Sequence, residues 1–248
     1  MGLRSAGIGL LLPWFGRAAF GVTAIGPAIC PATASASMTL GLRVENLACT
    51  RGNRQLFENL SVEVRPGELL RVLGANGAGK TSLLRMLCGL MEPAEGQILW
   101  RGQKLTAVRQ AFGSELIYLG HAAALKDDLS PLENLQAASL LAGQSTSLQD
   151  TKRALVAAGL RGHEHTLVRR LSQGQRKRSA LARLVLANSA AQLTPLWILD
   201  EPFNALDAAA TVWLAGLMQA HLQRQGMVVL TSHQSVPLGD IPQQELSL

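Results

Sequence analysis

The chain has 248 residues, 48% of them hydrophobic, which is enough to bury a sizeable core in one large domain or two small ones. Its three cysteines are scattered without a C-x-x-C pair, which argues against a disulfide framework or a zinc site and favours a reducing compartment. The formal net charge of +6 suits a nucleic acid, an anionic membrane surface or a bound nucleoside triphosphate, and does not choose among them.

Residues 1–37 differ from the rest of the chain. They contain basic residues but no acidic ones, and an apolar stretch after Arg17 leads to the small residues 34–36, a pattern similar to a secretory signal. The glycines and prolines within this stretch make it a poor membrane span. We expect residues 1–37 to be a disordered extension or the result of a misassigned start at which Met38 is the first true residue, rather than a targeting segment.

Residues 38–248 are predicted to form one compact α/β domain. An apolar run ends directly in a glycine-rich loop, and the residues behind that loop have helical spacing. A helical insert is predicted over about 122–181, with a helix start at Ser130-Pro131. Strands are predicted at 40–49, 59–76 (interrupted by a Pro-Gly turn), 96–102, 115–121, 195–200 and 226–233, and an amphipathic helix at 209–225.

The glycine-rich loop is GANGAGKT, residues 74–81. In a P-loop, backbone N–H groups turn toward phosphates and the following helix adds its positive N-terminal end. Lys80 is expected to reach the β- and γ-phosphates of a nucleotide, and the hydroxyl of Thr81 to hold Mg²⁺. The predicted phosphate-binding residues are Gly74, Ala75, Asn76, Gly77, Ala78, Gly79, Lys80, Thr81 and Ser82.

An acidic pair follows the apolar run LWIL at residues 196–199. Asp200 is expected at the carboxyl end of a buried strand, where it can hold Mg²⁺ directly or through water. Glu201 is then placed to act as the general base on the attacking water. The alternative is a strand that ends in two solvated acids, which the preceding P-loop disfavours.

The segment LSQGQ, residues 171–175, predicts a second phosphate clamp at a helix start. Ser172 supplies a hydroxyl and Gly174 a backbone N–H, and Gln175 completes the motif at the positive end of the helix. One nucleotide does not need two such clamps from one chain, so we expect this clamp to address a γ-phosphate held by a partner chain. The alternative is an ordinary capped helix on which the basic residues 176–178 form a solvated face.

Two weaker signals come after the acidic pair. Residues 204–207 (NALD) are expected where two protomers meet, and His233, at the end of an apolar run, is expected to contact the γ-phosphate. His163, His165 and His221 show no metal-ligand spacing, so structural roles are expected for them.

These motifs resemble those of the ATP-binding subunits of ABC transporters, and the resemblance covers residues 40–240. GANGAGKT is similar to the Walker A motif, LSQGQ to the family signature, ILDEP to the Walker B motif, NALD to the D-loop and His233 to the switch histidine. The resemblance implies an α/β, P-loop (RecA-like) nucleotide-binding domain with an antiparallel β-subdomain and a helical subdomain. It also implies an ATPase that uses ATP and Mg²⁺, forms a head-to-tail homodimer and binds integral membrane permease subunits at the cytoplasmic face of the bacterial inner membrane.

Within that family, YLGH at 118–121, LSQGQRKRSALARL, LWILDEPFNALD and GMVVLTSHQ are similar to the ATP-binding subunits of haem exporters in cytochrome c maturation. This resemblance implies that ATP hydrolysis is coupled to haem handling for c-type cytochromes. By the same resemblance, the subunit is expected to contact neither haem nor nucleic acid.

Three positions depart from the usual pattern of the family. Gln173 stands where glycine or alanine is common, Arg51 where an adenine-stacking aromatic ring is common, and His121 where glutamine is common. The guanidinium plane of Arg51 can stack on adenine. The residue at the position of His121 reaches toward Mg²⁺ and the attacking water in ABC proteins, so the resemblance assigns His121 a catalytic role that imidazole can fill.

Three other functions remain alternatives. An ATP-binding subunit for another transported substrate would share every catalytic residue, and only YLGH and the general likeness disfavour it. A soluble ABC ATPase that acts on nucleic acid or ribosomes would use the basic charge, but such proteins usually carry a long coiled-coil insert or two nucleotide domains. A nucleotide-binding regulator that does not hydrolyse ATP is disfavoured by Glu201.

Overall fold

The computed structural model describes residues 41–190, 193–232 and 238–248. The predictions for residues 1–37 and for His233 concern parts of the chain outside these ranges. In chain order the elements are β1 (Leu42–Arg51), β2 (Arg54–Val64), β3 (Leu69–Leu73), α1 (Lys80–Leu87), β4 (Glu95–Trp100), β5 (Gln103–Lys104), α2 (Leu105–Ser114), β6 (Leu116–Leu119), α3 (Pro131–Leu141), α4 (Leu148–Ala157), a 3₁₀ turn (Val168–Arg170), α5 (Gln173–Ser189), β7 (Leu196–Leu199), α6 (Ala208–Gln223), β8 (Met227–Thr231) and β9 (Gln243–Ser247).

The strands form two sheets of different kinds. An antiparallel sheet has the order β2-β1-β4-β5, and a second sheet, whose neighbours all pair in parallel, has the order β6-β7-β8-β3-β9. Strands β7 and β8 are buried along their whole length, as continuous apolar runs in a parallel sheet covered on both faces should be. The predicted α/β fold with an antiparallel β-subdomain and a helical subdomain is confirmed.

The parallel pairing places four chain segments at the end of the second sheet where its strands have their carboxyl ends. Strand β3 leads into the glycine-rich loop, β6 ends two residues before His121, β7 ends one residue before Asp200, and β8 ends at Thr231. Because the carboxyl ends of parallel strands lie at the same edge, residues that are far apart in the sequence meet there.

The buried side chains of the described residues form three groups. One joins the antiparallel sheet to α1 and the parallel sheet, one lies between the parallel sheet and helices α5 and α6, and one lies among α3, α4 and α5. Helix α5 contributes Leu181 and Leu184 to the second group and Ala182 and Leu186 to the third. It therefore connects the helical subdomain to the core of the domain.

The predicted helix start at Ser130-Pro131 is confirmed by a capping box. The Ser130 hydroxyl accepts a hydrogen bond from the backbone N–H of Glu133, and the Glu133 carboxylate accepts one from the backbone N–H of Ser130 at 2.7 Å. The limits of the helical insert, about 122 and 181, stay a prediction, but they do not coincide with the ends of helices. Residues before Pro131 form a loop, and α5 continues to Ser189 because its sequence has no glycine or proline between residue 175 and that point.

The elements that were not predicted are α2, the two-residue strand β5, the 3₁₀ turn and β9. Helix α2 contains Gly113 near its end, which weakens its helical pattern, and β9 is a sheet-edge strand with exposed and half-buried polar residues. Among the described residues, none of the helices combines the length and the hydrophobicity that crossing a bilayer requires.

Candidate nucleotide-binding site

The glycine-rich loop depends on backbone conformations that favour glycine. Gly77 and Gly79 have φ angles of 85° and 110°. At Gly79 a Cβ atom would also come within 3.1 Å of the Phe57 ring and 3.2 Å of Leu56, so the loop packs directly against strand β2. The antiparallel sheet thus holds one side of the loop while β3 holds its start.

Helix α1 begins at Lys80, immediately after the loop. Its N-terminal cap is Gly79, which provides no side-chain cap, and its first turn contains no acidic residue. The positive end of the helix is therefore not compensated by a side chain, which suits an anion. The ammonium of Lys80 donates hydrogen bonds to the carbonyl oxygens of Gly74 at 2.7 Å and Ala75 at 3.3 Å, so it lies across the loop.

The P-loop and the acidic pair are joined by hydrogen bonds. The Thr81 hydroxyl donates to Oδ2 of Asp200 at 2.9 Å, and the Thr231 hydroxyl donates to Oδ1 at 2.8 Å. The backbone N–H of Glu201 in turn donates to the Thr231 hydroxyl at 2.8 Å. Asp200 is only 2% exposed, so these bonds fix the direction of its carboxylate.

The donor set fits Mg²⁺. This ion is usually held by one or two carboxylates together with substrate phosphates, and a hydroxyl and a carboxylate already meet here. Within residues 41–190, 193–232 and 238–248, no group of three or more His, Cys, Asp or Glu side chains could hold a metal ion by itself. A magnesium ion held by Thr81 and Asp200 would fill its remaining coordination positions with water and phosphate oxygens.

A cleft of about 730 Å³ opens over these residues. It is large enough for a nucleotide, since small-molecule sites range from roughly 300 to 1,000 Å³. Its lining contains the loop, the acidic pair and His121, which lies exposed beyond β6. The lining residues are Arg51, Arg54, Leu56, Ala75, Asn76, Gly77, Gly79, Lys80, Thr81, Ser82, His121, Asp200, Glu201 and Asn204.

The far end of the cleft is formed by the hairpin between β1 and β2. Arg51 and Arg54 face each other across the strands at its tip and are both exposed, and both line the cleft. Arg51 was singled out from the sequence, whereas Arg54 and Leu56 were missed. Residues 54 and 56 alternate toward one face of β2, and this spacing is the signal that could have identified them.

The signature motif lies outside this cleft. Ser172 is the exposed N-cap of α5, and it forms a capping box with Gln175, whose side-chain oxygen accepts from the backbone N–H of Ser172 at 2.9 Å. A Cβ atom on Gly174 would lie 3.0 Å from the carbonyl oxygen of Ala205, so glycine also permits close packing of α5 on the NALD segment.

The three basic residues that follow the signature motif do not form a solvated face. All three are half-buried, and their partners lie in two loops, one between β6 and α3 and one between β7 and α6. Arg176 pairs with Asp127 at 3.2 Å, Arg178 pairs with Asp207, and the Lys177 ammonium donates to the backbone carbonyl oxygen of Glu201 at 3.0 Å. Lys177 and Thr231 are the residues at the acidic pair that sequence reasoning missed.

The NALD segment connects the acidic pair to α6. Asn204 lines the cleft, and Asp207 caps α6 by accepting a hydrogen bond from the backbone N–H of Ala210 at 2.8 Å. The structure thus brings the predicted residues 51, 75–77, 79–82, 121, 200 and 201 to the lining of one cleft, whereas residues 74, 78 and 172–175 do not line it. His233 lies outside the described residues.

Comparison with known proteins gives consistent results. The family model for the ABC transporter domain matches residues 57–204. The cytochrome c biogenesis ATP-binding export protein CcmA of Dechloromonas aromatica (strain RCB) is 50% identical over 207 residues, which cover 83% of this chain and 99% of that protein.

Solved structures agree on the fold. A putative ABC transporter ATP-binding protein from Pyrococcus furiosus has a TM-score of 0.70 at 22% sequence identity. The match covers 83% of this chain and 97% of that protein's chain. The ATP-binding cassette MJ0796, solved as a dimer in a post-hydrolysis state bound to ADP and Pi, has a TM-score of 0.66 at 22% sequence identity. The match covers 78% of this chain and 88% of the MJ0796 chain. Together with the family match and the CcmA relative, the fold leads to one conclusion: the chain belongs to the ABC transporter family and, within it, to the CcmA cytochrome c biogenesis ATP-binding export proteins.

Proposed function

We propose that this protein is the ATP-hydrolysing subunit of a membrane exporter that couples ATP hydrolysis to haem export or handling in the biogenesis of c-type cytochromes. The observation that carries the proposal is the bond between Thr81 and Asp200, because it joins the phosphate-binding loop to the acidic pair within one cleft. The name of the relative with 50% identity supports the transport role.

Nucleotide binding would use the loop and the start of α1. The backbone N–H groups of residues 74–82 and the positive end of α1 would receive the phosphates, and Lys80 would exchange its bonds to Gly74 and Ala75 for phosphate oxygens. The adenine would lie toward the hairpin tip, where the guanidinium plane of Arg51 can stack on it.

Thr81 and Asp200 would hold Mg²⁺ through their oxygens. When bound, the ion neutralises charge on the β- and γ-phosphates. The hydrogen bond between Thr81 and Asp200 keeps the two oxygens close before any ligand arrives, so little reorganisation is needed.

Hydrolysis needs a group that accepts a proton from the attacking water. Glu201 follows Asp200 and lines the same cleft, so its carboxylate can take that proton as a new bond forms between the water oxygen and the γ-phosphorus. ADP leaves as the bond from the γ-phosphorus to the β–γ bridging oxygen breaks. His121 lines the cleft from the end of β6, and His233 is proposed as a further γ-phosphate contact.

A homodimer would complete the site. Ser172, Gly174 and Gln175 do not line the cleft of their own chain in the described structure, and they lie at the start of a helix whose N-terminal end favours anions. In a head-to-tail pair they would face the γ-phosphate held by the partner. The dimeric MJ0796 cassette with ADP and Pi supports this arrangement.

Integral membrane permease subunits would hold the dimer at the cytoplasmic face of the inner membrane. The word "export" in the name of the CcmA relative supports such partners. Haem would be handled by those subunits, and the cleft described here would serve ATP alone.

The test is the ATPase activity of the assembled membrane complex with Glu201→Gln. Because the amide cannot accept the proton, kcat is expected to fall by roughly a hundredfold or more while ATP affinity stays within about twofold. The matched control is Glu92→Gln, the same change at an exposed position, which is expected to keep full activity. Normal hydrolysis by Glu201→Gln would overturn the assignment of the base, and normal c-type cytochrome assembly by an inactive variant would overturn the transport role.

A further inference from the structure

The backbone of Glu201 has an unusual conformation. Its φ angle is 47°, in the left-handed region that residues with side chains rarely adopt. The next residue is Pro202, and a residue before proline is normally pushed toward extended conformations. Local sequence therefore opposes this conformation, and contacts from elsewhere must maintain it.

Two such contacts hold the peptide groups on either side of the Glu201 Cα atom. The N–H donates to the Thr231 hydroxyl on β8 at 2.8 Å, and the C=O accepts from the Lys177 ammonium on α5 at 3.0 Å. Within its own loop, the C=O also accepts a longer hydrogen bond from the backbone N–H of Asn204 at 3.3 Å. One contact comes from the core sheet and the other from the helix that begins at the signature motif. The orientation of Glu201 therefore depends on where α5 lies relative to β8.

A gain in stability from burial does not explain the position of Lys177. Desolvation lowers the pKa of its ammonium, and the nearby carboxylates of Asp200 and Glu201 act in the opposite direction. A half-buried cation of this kind is a weak source of stability, since an apolar side chain of similar volume is often tolerated as well. Its distinctive property is the hydrogen bond that it donates to the Glu201 carbonyl.

The first turn of α5 is fixed in a way that directs Lys177. Arg176 is paired with Asp127, in the loop that follows His121, and Arg178 is paired with Asp207 at the start of α6. The two neighbours of Lys177 thus anchor the helix to two loops, the one between β6 and α3 and the one between β7 and α6. A shift of α5 that breaks these pairs would also withdraw the ammonium from Glu201.

We infer that Lys177 is a positioning residue for hydrolysis: it holds the Glu201 backbone in the left-handed conformation that keeps the carboxylate in the cleft, so turnover depends on the position of the signature helix in the same chain. This rests on the proposed role of Glu201 as general base. ATP binding is not expected to require the contact, because Lys177 does not line the nucleotide cleft.

The test compares three variants of the full chain in its assembled membrane complex. Lys177→Met removes the donor while keeping most of the side-chain length, and kcat is expected to fall at least tenfold, since losing a hydrogen bond from a charged donor changes an equilibrium by about tenfold or more. KM for ATP is expected to stay within about twofold. Lys177→Arg keeps a cationic donor and is expected to restore at least about a third of the activity, and Lys152→Met, on the exposed face of α4, is the matched control with unchanged activity.

Adding Glu201→Gln separates this inference from the function on which it rests. With the base removed, Lys177→Met is expected to cause no further loss, because the two residues act through one group. Full activity of Glu201→Gln would overturn the proposed function. An inactive Glu201→Gln together with an active Lys177→Met would overturn only the role of Lys177.

Two further outcomes would also overturn the inference. A rise in KM that accounts for the whole loss in Lys177→Met would make Lys177 a nucleotide-binding group. A lowered melting temperature, with kcat restored at lower assay temperature, would make it a structural one.

Discussion

His221 offers a prediction whose size follows from the structure. It lies in α6 with 0% exposure, and its ring stacks on the Trp197 indole with centroids 3.8 Å apart and an interplanar angle of 10°. Gly226 closes the other side, where an added Cβ atom would come within 2.2 Å of the imidazole. Burial lowers the pKa of His221 from 6.5 to about 4, and the charge of Arg224 acts in the same direction.

This shift makes the free energy of unfolding depend on pH. Between about pH 4 and 6.5 the unfolded chain binds a proton at His221 that the folded chain does not, so stability falls as the pH falls. At 1.36 kcal/mol per pH unit, the whole interval corresponds to about 3 kcal/mol. The loss begins as the pH falls through 6.5, reaches about 2 kcal/mol near pH 5, and is complete near pH 4.

Urea unfolding at about pH 7.5 and about pH 5 measures this loss. Other groups titrate over the same range, so the informative quantity is the difference between the wild type and His221→Phe, which keeps a ring against Trp197 but cannot be protonated. The phenylalanine variant is expected to lose about 2 kcal/mol less than the wild type on acidification. His165→Phe, at an exposed position, is the control and should behave as the wild type does. Equal losses in the wild type and His221→Phe would refute the reasoning.

Other predictions concern the cleft and the sheet. His121→Gln should keep most of the ATPase activity of the complex, because the amide can also donate and accept hydrogen bonds, whereas His121→Ala should lower kcat; full activity of His121→Ala would leave His121 as a strand cap. Thr231→Val removes the hydroxyl that links Asp200 to the Glu201 backbone, so kcat should fall about tenfold, whereas Thr231→Ser should retain activity. Gly96→Ala should lower the free energy of unfolding, measured by urea titration, by about 2 kcal/mol or more. The reason is that φ at Gly96 is 84° and an added Cβ atom would lie 2.4 Å from two carbonyl oxygens. The control is Gly113→Ala on α2, where an added Cβ atom meets open space, and it should not destabilise the protein.

The parts of the site that could be predicted are those in which a short motif determines its own geometry. GANGAGKT places its glycines in the loop after β3 and places Lys80 and Thr81 at the start of α1. LWIL places Asp200 at a strand end. The meeting of these segments also followed from the sequence, because parallel strands expose their carboxyl ends at a common edge. Elements without such a pattern were missed. Among the described strands, β9 is the last in the sheet and lies beside β3, and its side chains alternate between exposed and half-buried without an apolar face.

Lys177 shows where sequence reasoning ended. Residues 176–178 point about 100° apart around the helix and so span about 200° of its surface. A solvated face can be wider than that, so the sequence left open whether one of these basic side chains faces the protein. Which one does, and that it meets the carbonyl of Glu201, depends on how α5 docks onto the sheet through Leu181 and Leu184, a matter of tertiary packing that no local pattern encodes. The packing that makes α5 part of the core is thus also what brings a cation to the backbone of the proposed base.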